Sequence, residues 1–200
     1  MKFRTARRAD SEALCSICLK TGDAGADATT LYHDPDLLGL NYAAPYVTVR
    51  GGFGFVAEDE EGICGYVVGT ADTTAFEAAL DEDWWPDLKA RFPVDRIANG
   101  KGMQDGARIR HIHQPPRTPE ELLADYPAHI HMNVLPRTQG KGAGSRLLSL
   151  FLDELKNRSA TGVHAGVAPS NKAGLAFWTS KSLGIVRDDR PATIWCGMRL

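Results

Sequence analysis

Residues 135–155, "LPRTQGKGAGSRLLSLFLDEL", place Gly140, Gly142 and Gly144 directly before an amphipathic run. Leu147, Leu148, Phe151, Leu152 and Leu155 recur at helical spacing, which predicts a helix over 145–158 with one apolar face. Just upstream, "AHIHMNVLP" (128–136) reads as a strand stopped by Pro136. Glycines between a strand and a helix can serve two ends. They allow a tight turn, and without a Cβ they let an anion approach the unpaired amides and partial positive charge of a helix N-terminus. The spacing G-x-G-x-G differs from the dinucleotide pattern G-x-G-x-x-G and from the P-loop. On the glycines alone, a turn and a phosphate cradle both stay open.

Working outward, residues 1–6 read as a strand. Residues 10–22 read as a helix with Asp10 as N-cap and Gly22 past its end. "GGFGFVAEDEEGICGYVVGTAD" (51–72) is a hairpin: strands Phe53–Glu58 and Ile63–Thr70 flank an acidic, solvated turn. Residues 73–93 are helical and broken or kinked at Pro86. Residues 98–121 are loop-like, with a short strand at Ile109–His113. A strand (162–169), a helix (171–184) and a terminal strand (192–200) complete the chain. This mixture predicts one α/β (α+β) domain over 1–200 with a mixed sheet, elaborated at about 73–126.

A formal net charge of −2 and no basic tract argue against a nucleic-acid binder. No stretch approaches the roughly 20 apolar residues of a membrane span, and the start lacks a signal-peptide core, so a cytoplasmic protein is expected. Cys15 and Cys18 form a C-x-x-C inside a predicted helix and read as buried, inert thiols. "HIH" occurs at 111–113 and 129–131. On a strand it puts two imidazoles on one side, but no Cys or acidic ligand stands at metal-site spacing, so no metal is expected. Trp84, Trp85 and Trp195 read as core or interface residues.

Two motifs carry a resemblance. Gln139, Gly142 and Gly144 match Q/R-x-x-G-x-G/A after the V-x-P of Val134-Leu135-Pro136, and "NKAGLAFWTSKSLGI" (171–185) resembles N-x-x-A-x-x-[FL]-Y followed by G-F. In this order they resemble the GNAT acyltransferases. "KTGDAGADATTLYHDPDLLG" (20–39), "FVAEDEEGICGYVVGTAD" (55–72) and "QGKGAG" are further similar to the acetyltransferase-like C-terminal (HAT) domain of O-GlcNAc hydrolases and its stand-alone bacterial relatives. The resemblance implies a GNAT fold, a central twisted mixed sheet flanked by helices, with acetyl-CoA as cosubstrate. Arg137, Gln139, Gly140, Lys141, Gly142, Ala143, Gly144 and Ser145 would then hold the pyrophosphate. The backbone of Asn133, Val134 and Leu135 would pair with the pantetheine arm, Asn171 would hydrogen-bond it, and Phe177 and Trp178 would pack beside it.

Acetyl transfer to an amine needs a deprotonated amine, a polarised carbonyl and a protonated leaving thiolate. The resemblance gives the carbonyl to an amide at Val134 or Leu135. It puts Trp178 where a tyrosine usually acts as general acid, and an indole N–H does not release its proton near neutral pH. His129, His131 and Asn133 share one strand face, and His129 is the leading candidate base, ahead of Glu58, Asp72 and His164. Asp23, Asp27, Tyr32 and Tyr42, with Asp34 and Asp36, fall where the acceptor side is implied and would suit a cationic amine. The expected function is acetyl transfer in a ternary complex to an amine on a small molecule or peptide. The alternatives are a non-catalytic acetyl-CoA-binding interaction domain, which Trp178 favours, and a nucleotide-phosphate binder of another family. The resemblance also implies a homodimer paired through 192–200.

Overall fold

The computed structural model describes residues 1–99 and 104–200. The chain opens with β1 (Lys2–Thr5), α1 (Ser11–Lys20) and α2 (Leu37–Tyr42), then the hairpin of β2 (Gly52–Asp59) and β3 (Gly62–Thr70). A helical stretch follows: α3 (Thr73–Asp83), α4 (Trp85–Arg91), α5 (Arg96–Asn99), α6 (Asp105–His113) and α7 (Glu120–Leu123). Next come β4 (Ala128–Val134), α8 (Ala143–Asn157), β5 (Gly162–Val167), α9 (Lys172–Ser180), β6 (Gly184–Asp189) and β7 (Thr193–Arg199). The strands form one twisted sheet in the order β1-β2-β3-β4-β5-β7-β6. Only β4 and β5 are parallel neighbours, so the sheet is mixed and helices flank it, as expected.

β3 shows why the sheet is covered on both sides. Cys64, Tyr66, Val67 and Val68 are all fully buried, and successive strand residues face opposite ways. On one face the apolar stripe of α8 (Leu147, Leu148, Phe151, Leu155) packs on β2, β3 and β4. On the other, α1 packs on β3 and β4. The helices between β3 and β4 build a second buried cluster with α2, from Leu37, Phe76, Trp85, Leu88, Phe92, Ile109 and Ile112.

Several expectations are corrected. Ile109–His113 is helix, not strand: Ile109 and Ile112, three apart, are both buried against one face. His111 and His113 therefore point about 200° apart on α6 rather than to one side. Within the loop read over 98–121, residues 100–103 lie outside the described residues. The helical break falls at Trp84, and Pro86 sits in the first turn of α4, where its missing N–H costs nothing. Asp10 stands at the N-cap of α1, as expected, but its side chain makes no capping bond. Its carboxylate accepts from the Arg7 amide at 2.7 Å and from Arg4 at 2.7 and 2.8 Å, and the Arg4 contact holds it below the usual carboxylate range. The acidic turn is only partly solvated: Glu58 pairs with Arg4 and Asp59 with Arg137. α8 begins at Ala143, two residues early.

β6 had no counterpart among the expected strands. It leaves Ile185 and Val186 exposed at the sheet edge, so it lacks a one-sided apolar pattern. Its presence also changes the pairing expected through 192–200. β7 lies between β5 and β6, both of its edges are taken, and the free edge belongs to β6. Among the described residues, no helix is long and apolar enough to cross a membrane.

Candidate functional site

β4 and β5 part company early. They pair only at Ala128↔Val163 and His129↔His164, while β4 continues along β3 to Val134 and β5 along β7 to Val167. The parallel edges beyond His129 and His164 therefore bound an open wedge. The Leu135 N–H donates to the Cys64 carbonyl at 2.8 Å, across to β3. In an antiparallel ladder alternate residues face alternate neighbours, so the amides of Val134 and Met132 face the wedge. This corrects the expectation for Leu135, whose amide is already used and whose side chain is core. The Gln139 side-chain amide donates to the Val134 carbonyl at 3.0 Å, tying the loop to the strand end.

The glycine turn closes one end of the wedge. Gly140 and Gly142 have φ of 71° and 82°, left-handed values that suit glycine. A Cβ on either would meet no protein atom within 4 Å, so packing does not require glycine there. The backbone conformation does, and it leaves open space in front of the turn. Gly142 stands at the N-cap of α8 without a side-chain cap, and the first intrahelical bond runs from the Arg146 N–H to the Gly142 carbonyl at 3.0 Å. The amides of Ala143, Gly144 and Ser145 have no acceptor among the described residues. A Cβ on Gly144 would touch Phe177 at 3.4 Å and Met132 at 3.7 Å, pressing on the cleft wall.

The resulting cleft has a volume of about 550 Å³. It gathers Val134, Gln139, Gly140, Gly142, Ala143, Gly144, Ser145, Asn171, Phe177 and Trp178 from the expected set. Arg137, Lys141, Leu135 and Asn133 do not line it. Arg137 is held on Asp59 at 2.9 and 3.0 Å. Asn133 has both ends of its side-chain amide engaged, by the Tyr66 hydroxyl and by Thr21. Sequence reasoning missed Thr21, Gly25, Met132, Thr138, Ala173, Gly174, Ser180 and Lys181. Thr138, Ala173, Gly174, Ser180 and Lys181 lie inside the quoted motif stretches and Met132 on the predicted strand, whereas nothing local marks Thr21 or Gly25. Asn171 caps α9 with its Oδ1 on the Gly174 N–H at 2.8 Å, and its NH₂ has no partner among the described residues. Trp178 is 7% exposed and packs edge-on to Phe177, with ring centroids 5.2 Å apart.

The β4 histidines occupy unlike settings. Thr73 donates to the Pro127 carbonyl, so its oxygen accepts from His129 Nδ1–H at 2.9 Å. His129 Nε2 then accepts from the Tyr46 hydroxyl at 2.9 Å, which leaves no free lone pair. Burial, with His164 and His131 adding smaller effects, pushes its pKa to about 3. That setting suits a core histidine rather than a base. His131 donates Nδ1–H to the Tyr42 carbonyl at 2.7 Å, and a carbonyl can only accept. This fixes the tautomer and leaves the Nε2 lone pair without a partner among the described residues. Burial holds His131 neutral, with its pKa at about 4. His164 is 2% exposed and bonds the Tyr126 carbonyl; burial lowers its pKa to about 4 as well. Of the weaker base candidates, Glu58 pairs with Arg4, and Asp72 caps α3 through the Ala75 N–H.

The expected acceptor residues come together only in part, with Tyr32 and Tyr42 near Arg108. Asp23 and Asp27 are exposed on the loop after α1, where Asp27 caps Thr29. Tyr32 is buried and donates to Gln104 at 3.1 Å. Tyr42 stands beside Arg108 and His131. Asp34 and Asp36 face Arg91. Burial pushes the Cys15 and Cys18 thiols up to about 12, which leaves them unreactive at neutral pH. A second depression of about 630 Å³ between α3 and α7 holds Arg117 against Glu77 and Asp81, with its charges already paired.

Comparison with known proteins gives a consistent result. The family model described as the acetyltransferase (GNAT) family matches residues 105–185. The crystal structure of SsHAT has a TM-score of 0.87 at 33% identity, covering 99% of this chain and 97% of that one. Protein O-GlcNAcase of Rattus norvegicus is 27% identical over 173 residues, or 85% of this chain, and this chain spans only 18% of that protein. A Salmonella typhimurium protein, yncA, solved with its cofactor acetyl-CoA, shares the fold at 19% identity with a TM-score of 0.54, covering 100% of this chain and 92% of that one.

Proposed function

The chain belongs to the GNAT acetyltransferase family, and from that premise we propose that it transfers acetyl from acetyl-CoA directly to an amine held in the same complex. One observation carries the reading: a wedge between two parting parallel strands, closed by a turn whose amides are unpaired. Acetyl-CoA fits such a site, and it supplies an acetyl group activated as a thioester. The amides of Ala143, Gly144 and Ser145, at the positive end of α8, hold the pyrophosphate. Lys181 at the rim adds charge, in the place expected of Arg137 and Lys141. The amides of Val134 and Met132 and the NH₂ of Asn171 bind the arm and polarise the carbonyl.

Proton acceptance from the amine falls to His131 Nε2, whose lone pair is open, rather than to His129. Trp178 fills the expected general-acid position without a labile proton, so the thiolate takes its proton from water in the cleft. We take residues 1–200 as one acetyl-CoA-binding unit, elaborated between β3 and β4, and place it in the cytoplasm, where four free, buried cysteines are at home. A homodimer would use the free edge of β6. Trp178 also favours the second reading, an acetyl-CoA-binding domain without catalysis.

Calorimetric titration with acetyl-CoA, beside CoA and NADH, tests the shared core of both readings. Saturable binding is expected, weakened about 100-fold or more in Gly142→Val, which forces a β-branched residue into a left-handed conformation at the cradle. No binding at millimolar ligand would refute both. Thiol release with a panel of amines then separates transferase from binding domain.

A further inference from the structure

On the α1 side of β4, α6 delivers a cation with no carboxylate to neutralise it among the described residues. Arg108 is half-buried, and its guanidinium lies 5.3 Å from the Tyr42 ring centroid. Its Nη1 donates to the Tyr42 hydroxyl. Its Nε–H is buried with no hydrogen-bond partner among the described residues, which native interiors ordinarily avoid. No carboxylate among the described residues lies within ion-pair distance of it, whereas Arg4, Arg50, Arg117, Arg137 and Arg187 each hold one. Residues 100–103, just before α6, contain no Asp or Glu. The charged neighbour that weighs on Arg108 is Arg110, a like charge, and burial pushes its pKa down.

The geometry of what is left is specific. With Nη1 on Tyr42, the edge left without a partner among the described residues is Nε–H with Nη2–H, and an anion that takes it must first uncover Nε, which packing closes off. Those two parallel donors match the two oxygens of a carboxylate. The same tyrosine takes His131 Nδ1–H on its carbonyl, and the Tyr42 and His131 ring centroids are 6.0 Å apart. His131 in turn stands 5.7 Å from the ring of Tyr66, which is bonded to Asn133 and through it to Thr21 on the cleft wall. Arg108 thus lies at the far end of a short row of side chains that begins at the cleft.

We propose that Arg108 receives the anionic group of the acceptor, so that the acceptor is an amine that also carries a carboxylate, as an amino acid does. The carboxylate sits on the Nε/Nη2 edge of Arg108 and the amine points back toward His131 Nε2. This rests on the transferase site proposed above and reverses the expectation of a cationic acceptor met by Asp23 and Asp27, which are exposed on the loop after α1.

The test needs no turnover. The protein saturated with CoA is titrated by calorimetry with the standard amino acids, each beside its amide. The free acid of at least one is expected to bind about tenfold or more tighter than its amide. In Arg108→Met that preference disappears while the CoA titration is unchanged; Arg108→Lys keeps the charge without the two-point edge and restores it only in part. Equal binding of acid and amide by the wild type, binding of neither at millimolar concentration, or a preference that survives in Arg108→Met would each overturn the proposal. Failure of the CoA titration itself would instead refute the acetyl-CoA site, so the two failures are told apart.

Discussion

The two sides of β4 recognise by different means. On the α8 side the groups that face the cleft are main-chain amides, from a strand end and a helix start joined by one turn. On the α1 side lies a row of side chains from the end of α1, α2, α6 and β4, with partners up to 112 residues apart, of which Thr21 lines the cleft. Main-chain recognition depends on where the backbone goes and needs glycine where the path is unusual. Side-chain recognition depends on which residues tertiary packing brings together. The first kind tolerates many neighbours; the second is undone by one substitution.

The contrast can be broken most sharply at the two histidines. His131→Ala is expected to lower kcat/KM by roughly 10²–10⁴ with the acetyl-CoA Kd unchanged. His129→Ala should instead cost stability, on the order of 2 kcal/mol, because it leaves Thr73 and Tyr46 without their partner. Steady-state kinetics and thermal melts on both variants decide it; the reverse pattern would restore His129 as the base.

A smaller effect comes from the buried imidazoles together. Burial holds His111, His131 and His164 at about 4 and His129 at about 3, each below the ordinary 6.5. The unfolded chain therefore takes up protons below pH 6.5 before the folded one does. Stability is full above that pH and falls as pH drops toward about 4. His164 alone should contribute a loss of about 2 kcal/mol by pH 5, and His164→Gln should flatten the slope by roughly one proton. Urea midpoints across this range would show it; a flat profile would mean the imidazoles are not held neutral. The smallest effect is at Gln139→Ala. It releases the Val134 carbonyl and should weaken acetyl-CoA binding only about threefold to tenfold, leaving thermal stability unchanged.

The same contrast explains what could be read beforehand. "QGKGAG", the strand before it and the helix after it are contiguous, so periodicity placed these elements, and the family resemblance, not the glycines alone, named the residues expected on the cofactor side. The cations were misplaced because nothing local says that Arg137 will reach across to Asp59. α6 read as loop and strand because its short sequence is polar and His-rich, and its helical state rests on burial of Ile109 and Ile112 against a distant cluster. With α6 unread, Arg108 could not be seen as part of any site. His129 and His131 share a periodicity, and only their hydrogen bonds to Thr73, Tyr46 and Tyr42 separate them.

The parting of β4 from β5 has a mechanical side. Counted as ladders, the sheet is two: β1-β2-β3-β4, and β5-β7-β6, joined by the two rungs at Ala128↔Val163 and His129↔His164. Each half is fully paired within itself, so main-chain bonding stiffens the halves and spares the seam. A molecule lying along the seam and bonding to Val134 and Met132 adds rungs that the protein chain does not supply. Occupancy then acts as a brace: it locks the angle between two panels that, by backbone bonding, meet only at a corner.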